Sequence, residues 1–406
     1  MKLSKKKIVG DFSYNLMSSL IATGVMQIIV YPVLARIFNS SSYGVLLTVM
    51  GIINTISVTV GNTLNNTRLI QNTNYEEKGF CGDFNAILLF SSIIGAILMW
   101  IIGNKMFHFS ISINILMMIL VLLMSAKAYF IVAFRINLNF KSNFICNLFV
   151  AIGYIVGIVI VIITRLWPLI FIVAELFGLL WIYKDTDIYK ESLKRTELFK
   201  PTMSKFLILL IVTLSTNVML YLDRMIIYPI LGSESVSIYT VAVFFGKTLG
   251  IIMTPIASVL LGYFAQKDYV MNLKNFWKTN LIVIIIAIVF MLFSLIAAPI
   301  ATKILYPELF EQAKPYIFYA NLAAVIGVIA SMAQPAILKF VPTYCQLIKE
   351  LLYAVIYLGA GVYLLNKYGL MGFCIVSILA NFSKLLILYL IGTIYFSNNK
   401  VDEKTN

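Results

Sequence analysis

Residues 204–230 read SKFLILLIVTLSTNVMLYLDRMIIYPI, and this stretch decides the fold. It is apolar for long enough to cross a bilayer, which takes about 20 residues of helix. Yet Asp223 and Arg224 stand side by side within it. A charge at membrane depth is costly, faces a bundle interior or a watery cavity, and marks function by default. Working outward, comparable apolar runs fill the chain at 13–36, 43–67, 84–103, 112–134, 143–163 and 167–183. They continue at 237–264, 279–301, 314–338, 344–366 and 370–396. Thr164–Leu166, followed by Pro168, predicts a tight turn between the fifth and sixth runs.

A chain that is 61% hydrophobic and 12% charged is not a soluble domain. The runs are continuous rather than alternating, which excludes a transmembrane β-barrel. The formal charge of +14 would suggest nucleic acid in a soluble protein, but here the basic residues follow the loops, and no nucleic-acid partner is expected. With the N-terminus inside, the inner segments carry 20 Lys and Arg, six of them in the central loop (Lys184, Lys190, Lys194, Arg195, Lys200, Lys205). The outer segments carry six: Arg36, Lys105, Arg165, Lys303, Lys314 and Lys367. That asymmetry predicts a multi-pass protein of the bacterial cytoplasmic membrane with both termini inside and an even number of spans.

The chemistry of enzymes is missing. His108 is the one histidine, and Cys81, Cys146, Cys345 and Cys374 show no metal or redox spacing. No Walker loop or nucleophile–base set is visible, so no catalytic residue, metal or cofactor is expected.

The central loop, 184–203, divides the chain into an N-terminal six-helix bundle (1–183) and a C-terminal one with a short tail (204–406). The halves echo each other. Tyr31-Pro32-Val33-Leu34 followed by Asn39–Tyr43 matches Tyr228-Pro229-Ile230-Leu231 followed by Gly232–Tyr239. Repeats of this kind are common in transporters, with the substrate site near the repeat interface. The predicted fold is an all-α polytopic membrane protein of about twelve transmembrane helices, as two pseudo-symmetric six-helix bundles around a central cavity.

Five bases fall inside apolar runs: Lys127, Arg224, Lys247, Lys349 and Lys384. The acids there are fewer: Asp223, Glu350 and Glu175. A positive, partly dry interior attracts anions. Asn217, Tyr221, Arg224 and Tyr228 share one helix face by spacing, and an Arg on such a face can grip an anion bidentately. Lys247 lies near mid-membrane between Gly246 and Gly250, a spacing that also suits close helix packing. Gly51, Asn54, Gly61, Asn65 and Arg68 form a stripe on the second run that fits helix packing as well as a cavity wall. Lys384 shares a face with Asn381 and Ser377.

The chain resembles the multidrug/oligosaccharidyl-lipid/polysaccharide (MOP) exporter superfamily, and within it the Wzx-type polysaccharide flippases. The resemblance rests on Arg36 with the polar turn into Tyr43-Gly44, on Asn65-Asn66-Thr67-Arg68, and on Leu222-Asp223-Arg224. Leu231-Gly232 through Ile238-Tyr239 and the six-plus-six layout complete it. It implies translocation of undecaprenyl-diphosphate-linked oligosaccharide, as for O-antigen or capsule, from inner to outer leaflet by alternating access through a cationic cavity. Arg224, Lys247, Lys384 and Lys127 would contact phosphates or acidic sugars, Tyr221 and Tyr228 would stack on sugar rings, and Asn217, Asn54, Asn65 and Arg68 would line the cavity. Glu350, Asp223 and Glu175 are candidates for energy coupling. Expected partners are the lipid-linked oligosaccharide, membrane lipids, and the polymerase and glycosyltransferases of the same pathway. The rival readings are a cation-coupled multidrug exporter, a lipid II flippase and, in a different class, a membrane polysaccharide polymerase.

Overall fold

The computed structural model describes residues 5–80, 82–264 and 271–402; Cys81 lies outside them. Every regular element among the described residues is helical. α1 (Lys5–Val25) runs through a π-helical turn, Met26–Val30, into α2 (Tyr31–Ile37). Pro32 has no N–H to give, so the turn before it widens, and the Tyr31 N–H reaches back to the Met26 carbonyl. Then follow α3 (Ser40–Lys78), α4 (Asp83–Lys105), α5 (Ile111–Phe130), the short α6 (Val132–Ile136), α7 (Phe140–Thr164) and α8 (Pro168–Asp185). Arg165, left-handed at φ 59°, closes α7, and Pro168 opens α8, as the turn signals predict. α9 (Phe199–Phe264), α10 (Leu273–Leu305), α11 (Phe310–Phe340), α12 (Thr343–Val355), a second π-turn (Ile356–Ala360) and α13 (Gly361–Asp402) complete the chain.

Nine of these segments are long and apolar enough to cross a membrane by length and composition. α8, 18 residues carrying Glu175, Lys184 and Asp185, lies outside those nine and makes a tenth mainly apolar helix. Gly232, at φ 82° and ψ 176°, breaks α9 into two rods, and Gly369, at φ 59° and ψ −147°, breaks the α12–α13 segment likewise. Those two breaks raise the number to the twelve spans the sequence predicts. The protein is a multi-pass membrane protein.

The described residues divide into two compact units, within Met1–Asn39 plus Val45–Met225 and within Ser40–Gly44 plus Ile226–Asn406. Small residues set the tightest packing in the first. A Cβ on Gly153 would stand 2.6 Å from the Ala174 Cα, and one on Gly157 2.7 Å from the Ile170 Cα, so α7 and α8 touch backbone to backbone. Gly61 does the same for α3 against Ala128 and Ser125 of α5. At one end of this unit Tyr75, Phe84, Tyr129, Phe134 and Phe206 form an aromatic core. In the second unit Met332, Phe264, Phe276 and Phe396 anchor the main apolar cluster.

Within the second unit the repeated turns meet. Ser41 and Ser233 hydroxyls lie 2.8 Å apart, and Ser237 Oγ donates to the Ser40 carbonyl at 2.6 Å. Gly44 has no side chain because the Ser233 carbonyl occupies that space.

Candidate functional site

The charged pair that dominates the sequence is buried: Asp223 is 6% and Arg224 7% exposed. Arg224 Nη1 donates to the Leu47 carbonyl of α3 at 3.0 Å. Its guanidinium carbon lies 5.8 Å from the Tyr221 ring centroid. Asp223 Oδ1 accepts the Arg224 backbone N–H at 2.8 Å. One turn away Gly51 of α3 meets Tyr221, where a Cβ would stand 3.4 Å from the Tyr221 Cβ. Asn217 Nδ2 donates to Thr59 Oγ1 at 2.9 Å. Asn217, Tyr221 and Arg224 therefore form one ladder along α3, as their shared face predicts. Tyr228 is half-buried and belongs to the other unit.

The polar stripe of α3 divides by role. Asn54 donates to the Met50 carbonyl of its own helix at 2.7 Å. Asn65 bridges to α5 through the Ala128 carbonyl at 3.1 Å and accepts from Arg135 at 2.5 Å. Arg68 is held by both oxygens of Glu191, at 2.8 and 3.2 Å, beneath the Phe84 ring at 4.5 Å. Asn65 and Arg68 thus tie elements of the first unit together.

Lys127 of α5 and Glu175 of α8 form a buried ion pair at 2.8 Å. Gly178 makes room for it, since a Cβ there would stand 3.0 Å from the Lys127 stem. Glu175 is 3% exposed, and its Oε2 has no hydrogen-bond partner among the described residues.

The second unit holds its own cluster. Lys349 of α12 is fully buried, 2.6 Å from Gln334 Oε1 and 2.7 Å from Glu350 Oε1. Lys384 of α13 lies over the Tyr353 ring at 4.9 Å, and Tyr353 stacks on Tyr357. Asn381 donates to the Ala323 carbonyl of α11 at 3.1 Å. Lys247 is exposed on α9. Gly246 and Gly250 beside it pack on Asn321, Ala324 and Val328 of α11, the close approach their spacing predicts.

One constellation escapes sequence reasoning. The linker after α8 is strapped to the ends of α3 and α4. Asn85 donates to the Ile188 and Glu191 carbonyls at 3.1 and 3.0 Å. Asp83 accepts from the Thr196 backbone at 2.8 Å, from the Thr196 hydroxyl, and from the Tyr75 hydroxyl at 2.7 Å. Gly82 is required because the Ser192 carbonyl lies where its Cβ would be. Burial pushes the Glu191 carboxyl above its ordinary value, against the pull of Arg68. The only local signal is a polar end to the second run, and the partners sit more than 100 positions apart.

No family model matches the chain, and no curated protein does. Solved structures do. An inward-facing multidrug resistance MATE transporter of the MOP superfamily aligns over 96% of this chain and 95% of its own, at 14% identity and TM-score 0.62. The lipid II flippase MurJ, in an inward closed conformation, aligns over 94% and 86%, at 15% identity and TM-score 0.64. The chain shares the fold of these solved structures. A eukaryotic MATE transporter aligns over 96% and 97% at 12% identity and TM-score 0.63. At these identities the MOP likeness carries architecture, and the residue roles rest on the geometry above.

Proposed function

We propose that the protein is a flippase for polyprenyl-diphosphate-linked oligosaccharide in a bacterial cytoplasmic membrane, with both termini inside, working by alternating access. One observation carries this reading: the intramembrane charge does not balance. Of the five bases, Lys127 and Lys349 are matched by Glu175 and Glu350 at 2.8 and 2.7 Å. Counted formally, the five bases stand against three acids, Asp223, Glu175 and Glu350, an excess of two positive charges among these groups of the apolar runs. A membrane interior built this way favours a diphosphate and repels the cations that many drug exporters carry. Arg224 supplies a planar fork for phosphate oxygens, while Lys247 and Lys384 act as point charges. Tyr221 and Tyr228 offer ring faces to sugars. The MurJ-like fold is compatible with the reading and equally with a lipid II substrate.

Glu175 is the coupling candidate the geometry favours. Its Oε2 has no hydrogen-bond partner among the described residues and its Oε1 holds Lys127, so this pair joins a candidate coupling group to a candidate substrate base. Glu350, whose side chain is 46% exposed, holds Lys349 instead.

The test is surface-polysaccharide export in cells. Arg224→Ala and Lys247→Ala should abolish it at unchanged protein level, and normal export in both variants would sink the assignment. Lipid-linked oligosaccharide should accumulate on the inner leaflet; loss of drug resistance instead would favour the exporter reading.

A further inference from the structure

The turn between α6 and α7 is built against the usual preference. α6 ends with the Asn139 N–H on the Phe134 carbonyl at 2.8 Å and the Leu138 N–H on the Arg135 carbonyl at 3.3 Å. Such a helix end puts one residue in the left-handed region, where glycine or asparagine is favoured. Asn137 and Asn139 stand on either side, yet Leu138 takes the position, at φ 50°. It gains no core burial there, being 52% exposed. A strained, half-exposed leucine is placed for a contact outside the packed core.

What Leu138 borders is a pocket of about 370 Å³ within the first unit, in the size range of small-ligand sites. Leu69 of α3, Phe134, Leu138 and Phe140 give it an apolar wall, and Arg135 and Asn143 give it polar groups. Arg135 is set in place: its Nη1 donates to Asn65 Oδ1 at 2.5 Å and to Asn66 Oδ1 at 3.2 Å. Both acceptors are neutral amides, and among the described residues no carboxylate lies within ion-pair reach of Arg135. The guanidinium thus keeps its full charge and the donors beyond Nη1. Asn143 Oδ1 is buried without a partner among the described residues, which leaves the Nδ2 donor as the polar end that meets the pocket. The pocket sits where the apolar segment Ile111–Ile136 ends and the next, Phe140–Thr164, begins. In a bilayer that level is where hydrocarbon gives way to headgroups.

We propose that this pocket binds the phosphate of a lipid headgroup, with Arg135 and Asn143 on the phosphate oxygens and Leu138 against the first carbons of the tail. A phosphate ester is anionic and rich in acceptors, which matches two donors and a base without a counter-ion. The apolar wall adds the second half of the match. A free anion seated there would give up water on that side without a partner, whereas a lipid tail loses nothing. A base that only marks topology needs to lie near the membrane edge. It needs neither a cavity beside it nor two amides to fix its guanidinium. The site stands whether or not the chain moves an oligosaccharide. Phosphatidylglycerol and a polyprenyl phosphate share the chemistry it reads, and competition between them identifies the source.

The experiment titrates lipids into the full chain in detergent and reads the first bound lipid by native mass spectrometry. Phosphatidylglycerol should bind the wild type more tightly than diacylglycerol with the same tails, by about tenfold or more. Arg135→Gln can still donate to Asn65 but has no charge, and should weaken phosphatidylglycerol binding by about the same factor. Leu138→Gly removes both the backbone strain and the tail contact. It should melt no lower than the wild type yet bind roughly fivefold more weakly, a loss that a purely structural leucine would not cause. If Arg135→Gln does not fold, Leu138→Gly still decides. Equal binding of phosphatidylglycerol and diacylglycerol overturns the proposal, as does wild-type affinity in the variants that fold. Displacement of the lipid by inorganic phosphate also overturns it, because the site would then hold a free anion. Undecaprenyl phosphate that displaces phosphatidylglycerol at equal concentration supports the site with a polyprenyl lipid as occupant. Phosphatidylglycerol that holds its place supports it with a membrane phospholipid.

Discussion

Arg224 owes its geometry to the Leu47 carbonyl, which accepts from Nη1 and aims the guanidinium rather than leaving it to rotate. Arg224→Lys keeps the charge and loses the fork. A hydrogen bond to a charged group contributes about 1.5–3 kcal/mol, so export should drop roughly ten- to a hundredfold, read as the rate of lipid-linked oligosaccharide transfer in vesicles. Lys127 makes the opposite case. Removing it leaves Glu175 charged and buried, which costs about 3–5 kcal/mol of stability. Lys127→Ala should therefore unfold early in a thermal melt, and the double variant Lys127→Ala/Glu175→Gln should regain most of the loss. If the double is as unstable as the single, the pair is not what holds α5 to α8.

At the scale of elements, small residues decide where helices touch. Gly157→Leu pushes a side chain into the Ile170 backbone. Overpacking of this kind costs about 1–3 kcal/mol, so the melting temperature in detergent should fall, whereas Gly24→Leu, with nothing within 4 Å, should leave it unchanged. Much of this level was legible beforehand. Apolar length gave the spans, Arg165 and Pro168 gave the α7–α8 turn, and Gly246 and Gly250 announced close packing. The misses have physical causes. α3 runs to Lys78 although its apolar run stops near residue 67, because Tyr75 is buried against Asp83 and Thr202, which come later in the chain. Arg68 reads as part of a cavity stripe by spacing alone, and the carboxylate that holds it lies 123 positions away. Periodicity reports which face a residue occupies and is silent on what meets that face.

For the whole molecule, the strap between Asp185 and Phe199 is the feature that responds to pH. The folded-state value of Glu191 is raised, so its ionisation is disfavoured when the strap is docked. Its contribution to stability is fully present below the ordinary value of 4.5 and is lost as pH rises through the raised one. Wild-type stability should therefore climb as pH is lowered across the mildly acidic window above 4.5. Glu191→Gln, neutral at every pH and still an acceptor for Arg68, should flatten that slope; melts at several pH values check it, and an equal slope in both proteins counts against the assignment.

The strap also carries a consequence for synthesis. Arg68, Asp83 and Asn85 all precede the segment they hold. A chain made from its N-terminus has the receptor complete before the strap emerges, and domains generally fold in that order. The order of the chain thus lets the strap close on partners that are already made.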